Sequence, residues 1–314
     1  MLRPYISHAP TFQRAPFPSR VMRIVSLLPA ATEMVAALGA VGRLVGVSHE
    51  CDFPPQVRSL PRVTRTRVDP TLPSGAIDRA MAEAKRAGVS PVEVDVDLVA
   101  HLRPDVLIGQ SVCDVCAVGH HELARVVTTL IPTPWVVTLH AHTLEEVLVD
   151  IRKVGEALEL RDEADELDAG LRYRLRRVGA RAQRSGQVAA QRAAPLQKPR
   201  VLVLEWLDPP YVAGHWVPEL VALAGGQDVG SAPGDRSRPR PWNELAALAP
   251  DVVIVAPCGF DIPRAQAELA ALTDQEARRL LGRRVEFLDG NAYTSRPGPR
   301  LVDAAEQLSR LIPG

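Results

Sequence analysis

LRPDVLIGQSVC (residues 102–113) returns as LAPDVVIVAPC (residues 248–258), and this pair decides the fold. Each copy reads as the end of a short helix, a Pro-Asp turn, a buried apolar strand and a loop carrying a cysteine. The echo extends outward. RIVSLL from Arg23 leads through a loop into PAATEMVAALG, and RVLVLE from Arg200 leads through a longer loop into PELVALAGG; each is a strand, a loop, and a helix opened by proline and closed by glycine. HELARVVTTLIPTPWVVTL and QEARRLLGRRVEFL then each read as helix followed by strand. The expectation is an α/β chain of two similar lobes with mainly parallel sheets. The cleft between them would be lined by loops at the carboxyl ends of the strands, where open α/β sheets bind ligands.

The 314 residues, 46% of them hydrophobic, suffice for two cores of ordinary size. No apolar run approaches the roughly 20 residues that span a bilayer, so membrane insertion is not expected. Lys plus Arg and Asp plus Glu both number 37, which gives no sign of a nucleic-acid partner. The one-signed stretch from Arg172 to Arg200 reads as a solvated helix and linker.

Residues 1–21 are broken by prolines and lack the apolar core of a secretory signal, which points to a cytoplasmic protein whether translation starts at Met1 or Met22. Four cysteines, Cys51, Cys113, Cys116 and Cys258, would then be mainly reduced. Short Val-rich strands are expected near residues 23–28, 44–48, 105–110 and 135–139 of a first lobe covering 22–160. A helix should follow Thr143. Leu167, Leu171, Leu175 and Val178 then lie at helical spacing in a long connecting helix over 161–185. A flexible loop over 186–199 leads to the second lobe, 200–314.

Several loops carry chemistry. SHECD (48–52) sets His49, Glu50 and Cys51 side by side; adjacent side chains rarely converge on one ion, so the preferred reading has His49 or Glu50 facing the cleft and Cys51 packed inward. Cys113 and Cys116 form a C-x-x-C at a strand-to-helix junction, where the helix dipole acidifies thiols for metal binding or disulfide exchange. A four-ligand zinc or iron site would have to borrow from His49, Cys51, His215 or Cys258. EWLDPPYVAGHW places Glu205, Trp206, Tyr211, His215 and Trp216 on one loop, a flat apolar surface either for a ligand or for the lobe's own core. DGNAYTSRPGPR offers Asn291, Tyr293, Ser295 and Arg296, suited to a ligand rich in amides or carboxylates. Glu33 and Glu219 occupy matching places before the glycines that stop their helices. Two solvated glutamates are the preferred reading, and a docking pair for a two-fold partner the other.

The stretch 22–57, with Pro-Ala-x-Thr-Glu at Pro29 to Glu33, Val-Gly-Val-Ser at Val45 to Ser48 and Asp-aromatic-Pro-Pro at Asp52 to Pro55, resembles the vitamin B12-binding proteins of ABC importers. These belong to a wider class III periplasmic-binding-protein family, helical-backbone metal receptors whose lobes are joined by a rigid helix. Pro-Pro-aromatic at Pro209 to Tyr211 and Arg-x-x-Pro-Arg at Arg296 to Arg300 extend the resemblance over essentially the whole chain after Met22. It implies a non-catalytic receptor holding a corrinoid such as cobalamin between lobes, with an ABC transporter permease as partner. Phe53 matches the family's aromatic contact, Tyr211 its second-lobe aromatic region, and Arg296 the arginine that meets corrin side-chain amides. Arg65 and Gln110 stand where the family has tryptophans, and the cysteines are outside its pattern. A metal-ion site or metalloenzyme on the Cys/His set, and a thiol oxidoreductase on Cys113 and Cys116, remain as alternatives. No P-loop, G-x-G-x-x-G, H-E-x-x-H or G-x-S-x-G supports conventional catalysis.

Overall fold

The structure, a computed structural model, describes residues 21–110, 118, 120–192 and 197–312, without the side chains of 120–122 and 185–192. The first lobe runs β1 (Ile24–Ser26), α1 (Pro29–Ala37), β2 (Leu44–Val47), β3 (Thr64–Thr66), α2 (Ser74–Arg86), β4 (Val92–Val94), α3 (Val96–Leu102), β5 (Val106–Gln110), α4 (His120–Thr129), β6 (Trp135–Leu139) and α5 (Leu144–Ala157). Helix α6 (Arg161–Arg192) leads out of it. The second lobe runs β7 (Arg200–Leu207), β8 (Pro210–Val212), α7 (Val217–Leu223), β9 (Gln227–Asp228), β10 (Arg238–Pro239), α8 (Trp242–Ala247), β11 (Val252–Val255), α9 (Ile262–Ala271), α10 (Gln275–Leu281), β12 (Val285–Phe287) and α11 (Leu301–Leu311).

The first sheet has strand order β2-β1-β5-β6 and is parallel throughout. In the second, ordered β10-β8-β7-β11-β12, β7, β11 and β12 are parallel, β9 flanks β7, and β8 turns back antiparallel. The repeated Leu-x-Pro-Asp step does the same work twice. Arg103 and Ala249 both take a left-handed backbone, φ 46° and 44°. The following Asp105 and Asp251 then accept the backbone N–H of Arg23 at 2.9 Å and of Arg200 at 2.7 Å, pinning the first strand of each lobe to its neighbour.

Strand alternation sorts side chains onto two faces. Ile24, Ile108, Val201, Val203, Val252 and Ile254 enter one hydrophobic core that is continuous through both lobes and is roofed by α1, α5, α6, α7 and α11. Val25 and Leu107 enter a second core inside lobe one, while Leu202, Leu204, Val253 and Val255 enter a third inside lobe two. The lobes are therefore fused along the α6 side.

Thr143 closes a capping box with Glu146 at the start of α5, as the sequence pattern after Thr143 requires. The connecting helix differs from expectation. It runs to Arg192 rather than ending at 185, so residues 186–192, expected in a loop, are helical. The reason is compositional: between Gly186 and Pro195 the chain is Ala- and Gln-rich, with no proline to break the helix. Among the described residues no helix is long and apolar enough to cross a membrane.

Candidate ligand cleft

The loops following β1, β2 and β6 in lobe one meet those following β7, β8, β11 and β12 in lobe two. A charged cluster joins them at the centre. Arg296 donates from Nη1 to Glu33 Oε1 at 2.9 Å and to Asp52 Oδ1 at 2.6 Å, and from Nη2 to Asn291 Oδ1 at 2.8 Å. Asn291 Nδ2 in turn donates to Asp52 Oδ2 at 3.3 Å, and Arg300 Nη1 reaches Glu33 Oε1 at 3.4 Å. Glu33 and Arg296 are 3% and 4% exposed. Burial pushes the Glu33 carboxyl up despite both guanidiniums, consistent with an Oε2 that is buried without a partner. Burial also acts to raise Asp52, but the hydrogen bond and charge of Arg296 outweigh it and hold this carboxyl below its usual range.

Arg296 was expected to meet ligand amides. In the structure its two Nη groups bond protein acceptors on both lobes, which makes it a lobe-to-lobe clamp. Arg300 takes the cleft-side position: its guanidinium carbon lies 4.4 Å from the Phe53 ring centre and 4.9 Å from that of Tyr293, with Phe53 itself 42% exposed. Glu33 and Glu219 are not solvated helix glutamates, nor are they free for docking. Glu33 is in the cluster, and Glu219 Oε2 accepts the Leu144 backbone N–H at 2.6 Å, capping α5 from the opposite lobe.

The loop after β2 presents His49 and Glu50. His49 Nδ1 lies 2.7 Å from Thr64 Oγ1, which also accepts the His49 backbone N–H at 2.9 Å and donates to Ser48 Oγ at 3.2 Å. Thr64 thus engages Nδ1 and leaves Nε2 as the ring nitrogen on the edge away from it. Burial, then Arg62, keeps this ring neutral by lowering its pKa. Glu50 is exposed, and desolvation by the surrounding protein nonetheless raises its carboxyl. Cys51 packs inward against Thr32 Oγ1 at 3.1 Å, with burial pushing its thiol up to about 11. A thiol so rarely ionised is a poor metal ligand.

The aromatic loop of lobe two divides. Trp216 is core, its Nε1–H donating to the Thr294 carbonyl at 2.9 Å. Half-buried Trp206 packs on Phe260, ring centres 5.0 Å apart, and Tyr211 Oη donates to Asp78 Oδ1 of α2 at 3.3 Å. Glu205 and Cys258 are linked through the backbone, Cys258 N–H to the Glu205 carbonyl at 2.9 Å. Cys113 and Cys116 lie outside the described residues. Among the described residues no three His, Cys, Asp or Glu side chains converge as a metal site. Residue pattern alone did not reveal Thr64, Arg300, Asp78 or His142 as parts of this region.

His142 and His215 stack across the lobes, ring centres 5.5 Å apart, with His215 at φ 54°. Burial first, then His142 and Arg236, lowers the His215 pKa. A base depressed in the folded state contributes stability that is complete above its unfolded value near 6.5 and is lost as pH falls through the folded value. Thermal melts at pH 7.5 and 5.5 should show a smaller acid loss for His215→Asn, which tolerates the left-handed backbone, than for wild type. Equal losses would contradict the assignment.

A profile described as periplasmic binding protein matches residues 24–277. The chain belongs to the periplasmic binding protein family. The vitamin B12-binding protein of Vibrio cholerae serotype O1 is 24% identical over 307 residues, covering 95% of this chain and 91% of that one. A periplasmic heme-binding protein from Pseudomonas aeruginosa superposes with TM-score 0.68 at 24% identity, covering 93% and 92% of the two chains. The periplasmic vitamin B12-binding protein of Vibrio cholerae gives 0.62 at 22% identity, covering 92% and 95%. These structural likenesses establish the fold.

Proposed function

We propose that this member of the periplasmic binding protein family is a non-catalytic receptor for a metal macrocycle, a corrinoid or a heme, held between its lobes and passed to an ABC transporter permease. The observation that carries the reading is the loop 48–53. There an imidazole held through Nδ1 by Thr64, a solvent-facing carboxylate and an exposed phenyl ring backed by Arg300 are presented together at the carboxyl end of β2. A macrocycle offers what these groups recognise: a flat apolar face for Phe53, an axial metal position for His49 Nε2, and a polar rim for Glu50, Tyr293 and Glu205. The ligands named for the relatives, vitamin B12 and heme, are both of this class. Because the lobes share one core, affinity rests on a preformed cleft rather than on large closure.

Titration with hydroxocobalamin, cobinamide and hemin, read by tryptophan quenching and by the ligand's visible spectrum, tests the proposal. Saturable binding of at least one, with a spectral shift abolished in His49→Ala, is expected. No saturable binding of any of the three overturns it.

A further inference from the structure

Helix α2 belongs to lobe one by sequence, yet its buried residues are Ser74 and Gly75, and these meet lobe two. None of its side chains enters any of the three hydrophobic cores among the described residues. It is tethered to its own lobe by the two-stranded antiparallel β3–β4 ribbon that flanks it. Toward lobe two it is held by polar contacts. The backbone N–H and hydroxyl of Ser74 both donate to Glu268 Oε2, at 3.0 and 2.7 Å. Arg264 Nη2 donates to the Leu72 carbonyl at 2.9 Å, and Tyr211 to Asp78 as described. Gly75 lies so close to the Asp208 carboxylate that a Cβ there would collide with it.

The receiving surface is the carboxyl end of β7, the β7–β8 turn, the loop after β11 and helix α9, which carries Arg264 and Glu268. Phe260 underlies it, sandwiched by Trp206 and by Arg264, whose guanidinium carbon is 3.7 Å from the ring centre. This is the strand-end face where an α/β lobe receives ligand. An element with no core side chains and a polar dock opens at far lower free energy than the lobes themselves.

We infer that α2 is a detachable strap of lobe one that closes the cleft against lobe two, and that ligand enters and leaves when its dock on Glu268, Arg264 and Tyr211 is released. The inference rests on the cleft being the ligand site, and its test separates the two. Glu268→Ala removes the acceptor of two hydrogen bonds; Tyr211→Phe removes the Asp78 bond.

In ligand-free protein, amide hydrogen exchange over residues 74–78 is expected to accelerate roughly ten-fold or more in Glu268→Ala, the expected consequence of losing hydrogen bonds to a charged acceptor, while α1 and α5 are unchanged. Stopped-flow mixing with hemin and with hydroxocobalamin should show association and dissociation both faster in the two variants than in wild type. Unchanged exchange over 74–78 overturns the strap. Accelerated exchange with unchanged association overturns its role as a gate. If no macrocycle binds wild type, the ligand reading fails while the exchange measurement still reports on the strap.

Discussion

Replacing Arg296 with alanine should lower the free energy of unfolding by about 3–5 kcal/mol, because it leaves a buried carboxylate uncompensated rather than merely deleting a contact. Glu33 is buried at the end of this cluster and already has one oxygen without a partner. Removing Arg296 leaves it the more distant Arg300, at 3.4 Å, and frees Asp52 and Asn291 from the partner that joins them to α1.

The pH dependence carries the sign. Glu33, whose carboxyl is raised on folding, contributes full stability below its unfolded value and loses it as pH rises through the folded value; without Arg296 the rise is larger. Asp52 is depressed on folding, so its contribution exists above its unfolded value, falls away with acid, and disappears in the variant. Both effects make the deficit of Arg296→Ala smaller at pH 4 than at pH 7. Urea unfolding at the two values checks this, and a deficit under about 1 kcal/mol at pH 7 would remove the clamp from the account. The paired replacement Arg296→Met with Glu33→Leu should recover much of the loss, since apolar pairs of similar volume substitute well for buried ions.

The parts of this molecule that were legible in sequence are those governed by local rules. The two Leu-x-Pro-Asp copies announced two strands and their turns, and the structure gives them matching backbone angles and matching aspartate bonds to Arg23 and Arg200. Pro29 and Pro218 opened helices where proline is favoured. Cys51 packed inward because a small sulfur beside a buried threonine behaves as a core residue.

What was not legible depends on pairing over long separations. Arg296 meets Glu33 across 263 positions and Asp52 across 244, and no periodicity encodes such a match. An arginine in a polar loop looks like a ligand contact until its acceptors are located. Helix α2 has an ordinary amphipathic pattern, and it takes distant partners such as Glu268, 194 positions away, to reveal that it docks on the other lobe. The pairing of His49 with Thr64 was equally hidden, since the hydroxyl that holds its Nδ1 lies 15 positions away on β3.

Trp216→Ala should cost about 3–5 kcal/mol, the range for truncating a large buried aromatic to alanine. Trp216 stands between two readings of the aromatic loop, and its burial places it under the cleft floor rather than on it. Its indole supports the site from below through the Thr294 carbonyl, in the turn that carries Asn291 and Tyr293 and leads to Arg296. Trp216→Phe separates the two contributions. It keeps much of the packing volume but leaves the buried Thr294 carbonyl without its donor, a loss of about 1–3 kcal/mol. If the phenylalanine variant were as stable as wild type while alanine lost the full amount, the indole would act by volume alone. The 290–295 turn would then be positioned by its own bonds, Asp289 to the Ala292 N–H at 2.7 Å and Ser295 to the Gly290 carbonyl at 2.6 Å. A phenylalanine deficit near the middle of that range, with weakened macrocycle binding, would instead mean that the hydrogen bond holds the turn in register, so that a core tryptophan of lobe two sets the position of the Arg296 clamp on lobe one.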